Sequence, residues 1–351
     1  MVFIIIASMN TGFHDYVEFL RKNREQIKGD LMIPKDSWRR SLYSEPFNRY
    51  FFPMPNFSEP HGLISATDSS EVIRELYNGR KLMLFRSLTS IRNKNYESFI
   101  TKLQVVARED VQRYTIMNME HSEHMSILKM LENENPDYVL VDGSLSGRIF
   151  SEEIAIDADD FKEFRKEYFG TISRMIDLAA GRNIPLIFIA KSSDSSIFRN
   201  FLLSQVRSES EKIDLERKSR STDHFIIKSM AAYPGYSFPI SHTMKLGIGD
   251  WQTEIQIITT HILPDTRDLP FKVEIVSPKN DGSSDISENI RNLLFWGYGG
   301  LKVHNIWLSR VDDLVKFRSE ETENVFMRAF EKEIGISLYE TRGERRARIR
   351  I

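Results

Sequence analysis

The stretch Tyr138-Val139-Leu140-Val141-Asp142-Gly143 constrains this chain more than any other. An apolar, β-branched run that stops at an acid followed by glycine predicts a strand buried on both faces, delivering one carboxylate to the rim of a sheet. The pattern recurs in Gly62-Leu63-Ile64-Ser65-Ala66-Thr67-Asp68-Ser69-Ser70, so a second short strand is expected to end at Asp68. Two strand-end aspartates facing one crevice suit a hard divalent cation, which prefers carboxylate oxygen and keeps positions open for water and phosphate.

The remaining sequence has to supply a core around that pair. With 351 residues, 41% apolar and 11% aromatic, there is material for one large domain or two ordinary ones. No cysteine occurs, which excludes disulfides, thiolate metal sites and cysteine nucleophiles; a reducing cytoplasm is the expected location. The net charge of −2 hides 48 basic against 50 acidic residues, so a nucleic-acid surface would be a local patch. The apolar opening Met1 to Ala7 lacks a basic leader and is far shorter than a membrane span; it reads as a strand or packing segment.

In order along the chain, Phe13 to Leu31 has helical spacing, and residues 32–61, with prolines 34, 46, 53, 55 and 60 among many aromatics, read as an extended wrapping segment. After the strand ending at Asp68, Lys81–Leu88 and Lys102–Ala107 predict two more strands and hence an antiparallel meander. Tyr114 to Leu131 predicts a helix before the strand to Asp142; Asp159 to Arg182 predicts a second helix, and Ile184 to Ala190 a parallel strand after it. Ile197 to Val206 reads as helix, Arg207 to Ser221 as a mobile loop or solvated helix, and Thr222-Asp223 as a cap of a further helix. Three more strands (244–248, 254–262, 271–276) and helices over 286–295 and 311–334 complete the chain. The fold class is therefore α/β or α+β, a mixed sheet with parallel additions to a meander. Residues 1–60 are read as an N-terminal helix and wrapping segment, and 61–351 as one domain.

Glu120 and Glu123 lie one turn apart on the helix that precedes Asp142, and one of them is expected to join the two aspartates. A meander, a helix carrying an acid and a central strand ending in an acid is the order of an RNase H-like nuclease, in which two metals flank the scissile phosphate. His121 and His124 flank the glutamates without an evident partner and read as packed histidines. The terminal Arg342 to Ile351 is the most basic segment, a candidate for phosphate contacts.

These elements, with Ile189-Ala190-Lys191-Ser192-Ser193 and Gly297-Tyr298-Gly299-Gly300-Leu301-Lys302-Val303-His304, together resemble the NurA nuclease family over nearly the whole chain. The resemblance implies an RNase H-like and PIWI-like fold and a ring-like homodimer. It implies Mn²⁺ or Mg²⁺, two ions in all, held by Asp68, Asp142, a helix glutamate (Glu123 or Glu120) and His304, with Lys191 and Tyr298 completing the site. It further implies a 5′-3′ exonuclease and single-strand endonuclease that acts on DNA ends in break resection with the hexameric HerA translocase. Two departures stand out: a serine follows Asp68 where the family has glycine, and glycines replace the prolines after Tyr298. They motivate an alternative, a non-catalytic DNA clamp or translocase adaptor; a resolvase or another RNase H-like nuclease is a third reading.

Overall fold

The computed structural model describes residues 2–150, 155–207, 209–248, 251–276, 286–336, 338 and 342. Most of the basic terminal segment lies outside the described residues. In chain order the elements are α1 (Val2–Lys22), α2 (Arg24–Leu31), α3 (Trp38–Tyr50), β1 (Phe51–Pro53), β2 (Ile64–Glu75), β3 (Lys81–Ile91), β4 (Lys94–Gln104), α4 (Val111–Asn133), β5 (Tyr138–Asp142), α5 (Leu145–Phe150), α6 (Phe161–Gly181) and β6 (Leu186–Ala190). There follow α7 (Ile197–Ser204), α8 (Ser210–Lys218), α9 (Asp223–Met230), β7 (Gly235–Ser237), β8 (Ile240–Ile248), β9 (Trp251–Leu263), β10 (Phe271–Val276), α10 (Glu288–Trp296), α11 (Ile306–Val315), α12 (Ser319–Glu321), a π-helical turn (Thr322–Met327) and α13 (Arg328–Ile334). They group into two compact units, one of Met1–Pro55, Ser192–Phe238 and His261–Phe271, the other of Asn56–Lys191, Pro239–Thr260 and Lys272–Ile351. No helix among the described residues is long and apolar enough to cross a membrane.

The larger unit holds β2 to β6, β8 and most of β9 and β10. β2, β3 and β4 form the expected antiparallel meander, β5 joins β2 in parallel, β6 joins β5 in parallel, and β10 runs antiparallel to β6. That order, β4-β3-β2-β5-β6, is the RNase H-like sheet expected from the sequence. Its core explains the apolar runs: Val139, Leu140, Val141, Leu186, Ile187 and Phe188 are all fully buried, covered by helices. Each such side chain contributes about 1.5–3 kcal/mol relative to exposure.

In the smaller unit, α8 is anchored rather than mobile. Its Glu216 accepts from Arg39 Nε and Nη2, both at 2.8 Å, and from the Tyr43 hydroxyl at 3.0 Å. Thr222 caps α9 by accepting from Phe225 N, as its position predicts. β1 pairs antiparallel with β7, where Gly235 lets the strands approach: a Cβ there would fall 2.1 Å from the Phe52 carbonyl oxygen.

Several expectations are corrected. The opening apolar run is the start of helix α1, since no proline separates it from the helical spacing that follows and extending a helix costs less than nucleating one. The wrapping segment contains α3, capped by Ser37 and tolerating Pro46 in its interior. β2 does not stop at Asp68 but continues to Glu75, because β3 pairs with it over its whole length. β4 begins at Lys94, earlier than its apolar residues indicate; as an edge strand it exposes most of its side chains. The C-terminal helix is broken after Val315, where Arg86 of β3 donates to the carbonyls of Val315 (3.0 Å) and Lys316 (2.9 Å) and so satisfies the end of α11.

Candidate active site

The parallel pairing of β2 with β5 sets the first two acids. Its register runs from Ile64↔Tyr138 to Thr67↔Val141, so Asp68 and Asp142 are the next residues on neighbouring strands. Asp142 ends its strand and Asp68 does not; they meet where one neighbour of β2 runs out. Alternation along β2 then divides the chemistry between two faces. Ser69 points to α4, whereas Asp68 lies on the α11 face, where Ser70 Oγ accepts from Phe317 N at 3.2 Å. Gly143 follows Asp142 with φ +95°, a conformation glycine adopts without strain, and its N–H donates to Asp142 Oδ1 at 3.1 Å.

The third acid comes from α4, which packs closely on the sheet through small polar residues. Thr67 and Thr89 hydroxyls lie 2.6 Å apart, Thr89 and Ser126 hydroxyls 2.8 Å, and Ser87 Oγ donates to the Ser122 carbonyl at 2.6 Å. This brings Glu123 against Ser69 in the middle of β2, where Oε1 accepts from Ser69 Oγ and Oε2 from Arg148 Nη2 at 2.5 Å. Glu120, one turn earlier, accepts instead from the Tyr168 hydroxyl at 2.5 Å. Burial raises the pKa of both glutamates. Burial, then the fields of Glu123 and Asp142, push the Asp68 carboxyl up to about 8. Of the two glutamates left open by the sequence, Glu123 is the one that shares an electrostatic environment with both aspartates.

Lys191, just past β6, donates to Asp142 Oδ2 at 2.8 Å. The loop after α10 returns to the same carboxylate, placing His304 Nε2 3.9 Å from Asp142 Oδ1. Tyr298 is half-buried at the start of that loop. The loop glycines serve its own packing: a Cβ on Gly297 would meet Asn305 at 2.6 Å, one on Gly299 would meet Val303 at 2.7 Å, and Gly300 has φ +109°. His121 and His124 are buried away from the aspartates, His121 against Thr171 Oγ1 (3.1 Å) and His124 against Arg148 Nη1 (2.9 Å), and burial lowers both pKa values.

Two components escaped the sequence reading. Arg148, 2% exposed, links the site by donating to Glu123 and, at 2.8 Å, to the Asp142 carbonyl. Beneath the same loop, Glu274 accepts from Ser144 Oγ (2.9 Å), Ser146 N (3.1 Å) and Ser146 Oγ (2.5 Å), and pairs with Lys272 at 2.6 Å. Burial raises the pKa of Glu274, but Lys272 and Ser146 outweigh it and leave the carboxyl below its ordinary value. The available signal was a Lys-Val-Glu sequence inside the otherwise apolar β10, all of it buried.

Three carboxylates and an imidazole around one strand end make a hard, oxygen-rich donor set of the type that divalent cations take. Asp68 supports the fit, because a buried acid flanked by two others ionises readily only beside a cation. Among the described residues no three such side chains stand as a ready ligand set. Lys191 and Arg148 instead hold oxygens of Asp142 and Glu123.

The NurA domain family matches residues 62–317, which contain every site residue named above. The fold is similar to the crystal structure of the NurA nuclease from Sulfolobus solfataricus, with a TM-score of 0.62 and 16% identity over 93% of this chain and 99% of that one. It is also similar to NurA with manganese (TM-score 0.55, 12% identity, 91% and 98% covered) and to NurA bound to dAMP and manganese (TM-score 0.51, 12% identity, 91% and 95% covered). No curated protein sequence matches the chain. The family match spans most of the chain and its whole acidic cluster, and the chain belongs to the NurA nuclease family.

Proposed function

We propose that this protein is a divalent-metal-dependent DNA nuclease whose centre is Asp68, Glu123 and Asp142. The observation that carries the reading is the convergence of these three carboxylates beside the end of β5, with the Asp68 carboxyl raised by burial and then by the fields of the other two. Asp68, Asp142, Glu123 and His304 would hold Mn²⁺ or Mg²⁺, in keeping with the manganese in related NurA structures. The metal supplies Lewis-acid activation of water and charge stabilisation at the phosphate, optimally as a pair of ions. Arg148 keeps Glu123 in place, Lys191 is positioned to exchange Asp142 for a phosphate oxygen, and His304 stands beside Asp142 to orient water or ligate.

The finer reading is 5′-3′ exonuclease and single-strand endonuclease activity on DNA ends, in a homodimer that works with a HerA-type hexameric translocase in break resection. Family membership supports it. A second reading, a non-catalytic DNA clamp, is favoured by the Lys191–Asp142 and Arg148–Glu123 pairs, which neutralise the site without metal. Incubation of purified protein with linear and circular single-stranded DNA in Mn²⁺, and again with EDTA, separates the two. Manganese-dependent degradation is expected; DNA binding without cleavage in Mn²⁺ or Mg²⁺ establishes the clamp.

A further inference from the structure

A cavity on the Asp68 face of the sheet has no part in the acidic centre. Side chains alternate along β2, so Ile64 and Ala66 share a face with Asp68. They floor a cavity of about 280 Å³, lined on the α11 side by Trp307 and Val311 and edged by Arg92 and Arg310. That volume lies near the lower end of small-ligand sites, about 300 Å³, and suits one nucleoside rather than a duplex. At ~3.3 Å per strand residue, Ala66 and Ile64 stand about 7 and 13 Å from Asp68. At ~3.4 Å per phosphate along a stacked strand, this is about two to four nucleotide steps.

The aromatic wall is held in advance. A Cβ on Gly297 would come within 2.8 Å of the Trp307 ring, so the missing side chain seats the indole against the loop that carries His304. Arg310 is exposed on α11, and Arg92 is exposed at the tip of the β3–β4 hairpin with φ +52°. A preset indole beside two solvated guanidinium groups combines the two contacts that single-stranded nucleic acid uses, stacking for the base and positive charge for the backbone. Glu59, also in the lining, adds an acceptor for an exocyclic amine such as that of cytosine.

We propose that this cavity is a nucleoside subsite, holding one base of the DNA strand two to four nucleotides from the scissile phosphate. Trp307 stacks on the base while Arg92 and Arg310 neutralise the adjoining phosphates. The inference rests on the nuclease reading of the acidic cluster for the position of that phosphate, and the test keeps the two apart.

Fluorescence anisotropy of labelled deoxyoligonucleotides two to six nucleotides long, in Mn²⁺ and with the uncleaving Asp142→Asn protein, reads the subsite directly. Affinity is expected to step up once the strand reaches the cavity. Trp307→Ala removes that step, lowering affinity for the longer strands about tenfold, and Trp307→Phe restores most of it. Because Arg92 and Arg310 are exposed, the double variant Arg92→Gln/Arg310→Gln puts folding at little risk; it is expected to reduce the salt slope of single-strand binding by about 1.4. A length step of wild-type size in Trp307→Ala, or an unchanged salt slope in the double variant, overturns the subsite. Failure of the wild-type protein to cleave DNA in Mn²⁺, with the step present, overturns the nuclease reading instead and leaves the cavity a nucleoside site.

Discussion

Asp68 is buried beside two other acids, and the chemistry of the site follows from that crowding. Removing one ligand charge should stop cleavage without unfolding the chain: Asp142→Asn and Asp68→Asn are each expected to lower turnover by about 100-fold or more, with circular dichroism and thermal midpoint near wild type. Wild-type turnover in either variant removes the paired aspartates from the mechanism. Metal binding should also release a proton. Asp68 has a folded-state value of about 8, so below that pH it is largely neutral, and a cation has to displace its proton. Manganese affinity, measured by calorimetry in two buffers of different ionisation enthalpy, is therefore expected to rise from pH 6 to pH 8 and then level off; a flat profile contradicts a protonated Asp68. The histidines divide by their surroundings. His304→Ala is expected to cut turnover at least tenfold with little loss of DNA affinity. His121→Ala and His124→Ala, both in the packed interior, should lower the thermal midpoint more than His304→Ala does. Equal, small effects of all three on turnover return His304 to a packing role.

At the scale of elements, the site is assembled by α4 and α5 against the middle of β2 and the end of β5. Arg148, on the short helix α5, is what ties them, because its guanidinium spans Glu123 of α4 and the backbone of Asp142. Breaking a buried pair from one side leaves the partner charge uncompensated, so Arg148→Met is expected to destabilise the metal-free protein by about 3–5 kcal/mol in urea unfolding. Arg148→Lys, which keeps the charge and loses the fork, should cost less. A loss below about 1 kcal/mol for Arg148→Met contradicts this role. Elements with a strong local signature were legible: β5 and β6 as apolar runs, α4 and α6 as helical spacings, and α9 through its Thr222 cap. The extent of β2 was not, because its continuation past Asp68 depends on β3 lying alongside it. The break after Val315 was not either, because the residue that satisfies it is Arg86.

At the scale of the molecule, a homodimer is a proposal, supported by the family and by the excess of helices over what one sheet needs. Light scattering of the full chain at micromolar concentration is expected to give twice the mass of a protomer, and a monomer that stays monomeric with a HerA-type translocase present contradicts it. The sequence by itself determined the class of fold, a meander with parallel strands added, because hydrophobic alternation and helical spacing are local properties. It also picked out the two strands that carry Asp68 and Asp142, though only Asp142 ends its strand. Only tertiary structure set Glu123 rather than Glu120 beside Ser69 of β2, brought the His304 loop back to Asp142, and placed Arg148 and the Lys272–Glu274 pair beneath the acidic loop. The reason is physical. One turn of helix separates the two glutamates, and which of them faces β2 is set by the packing of small hydroxyl residues between α4 and the sheet. The partners of a buried charge, in turn, lie on elements that only the completed fold brings together.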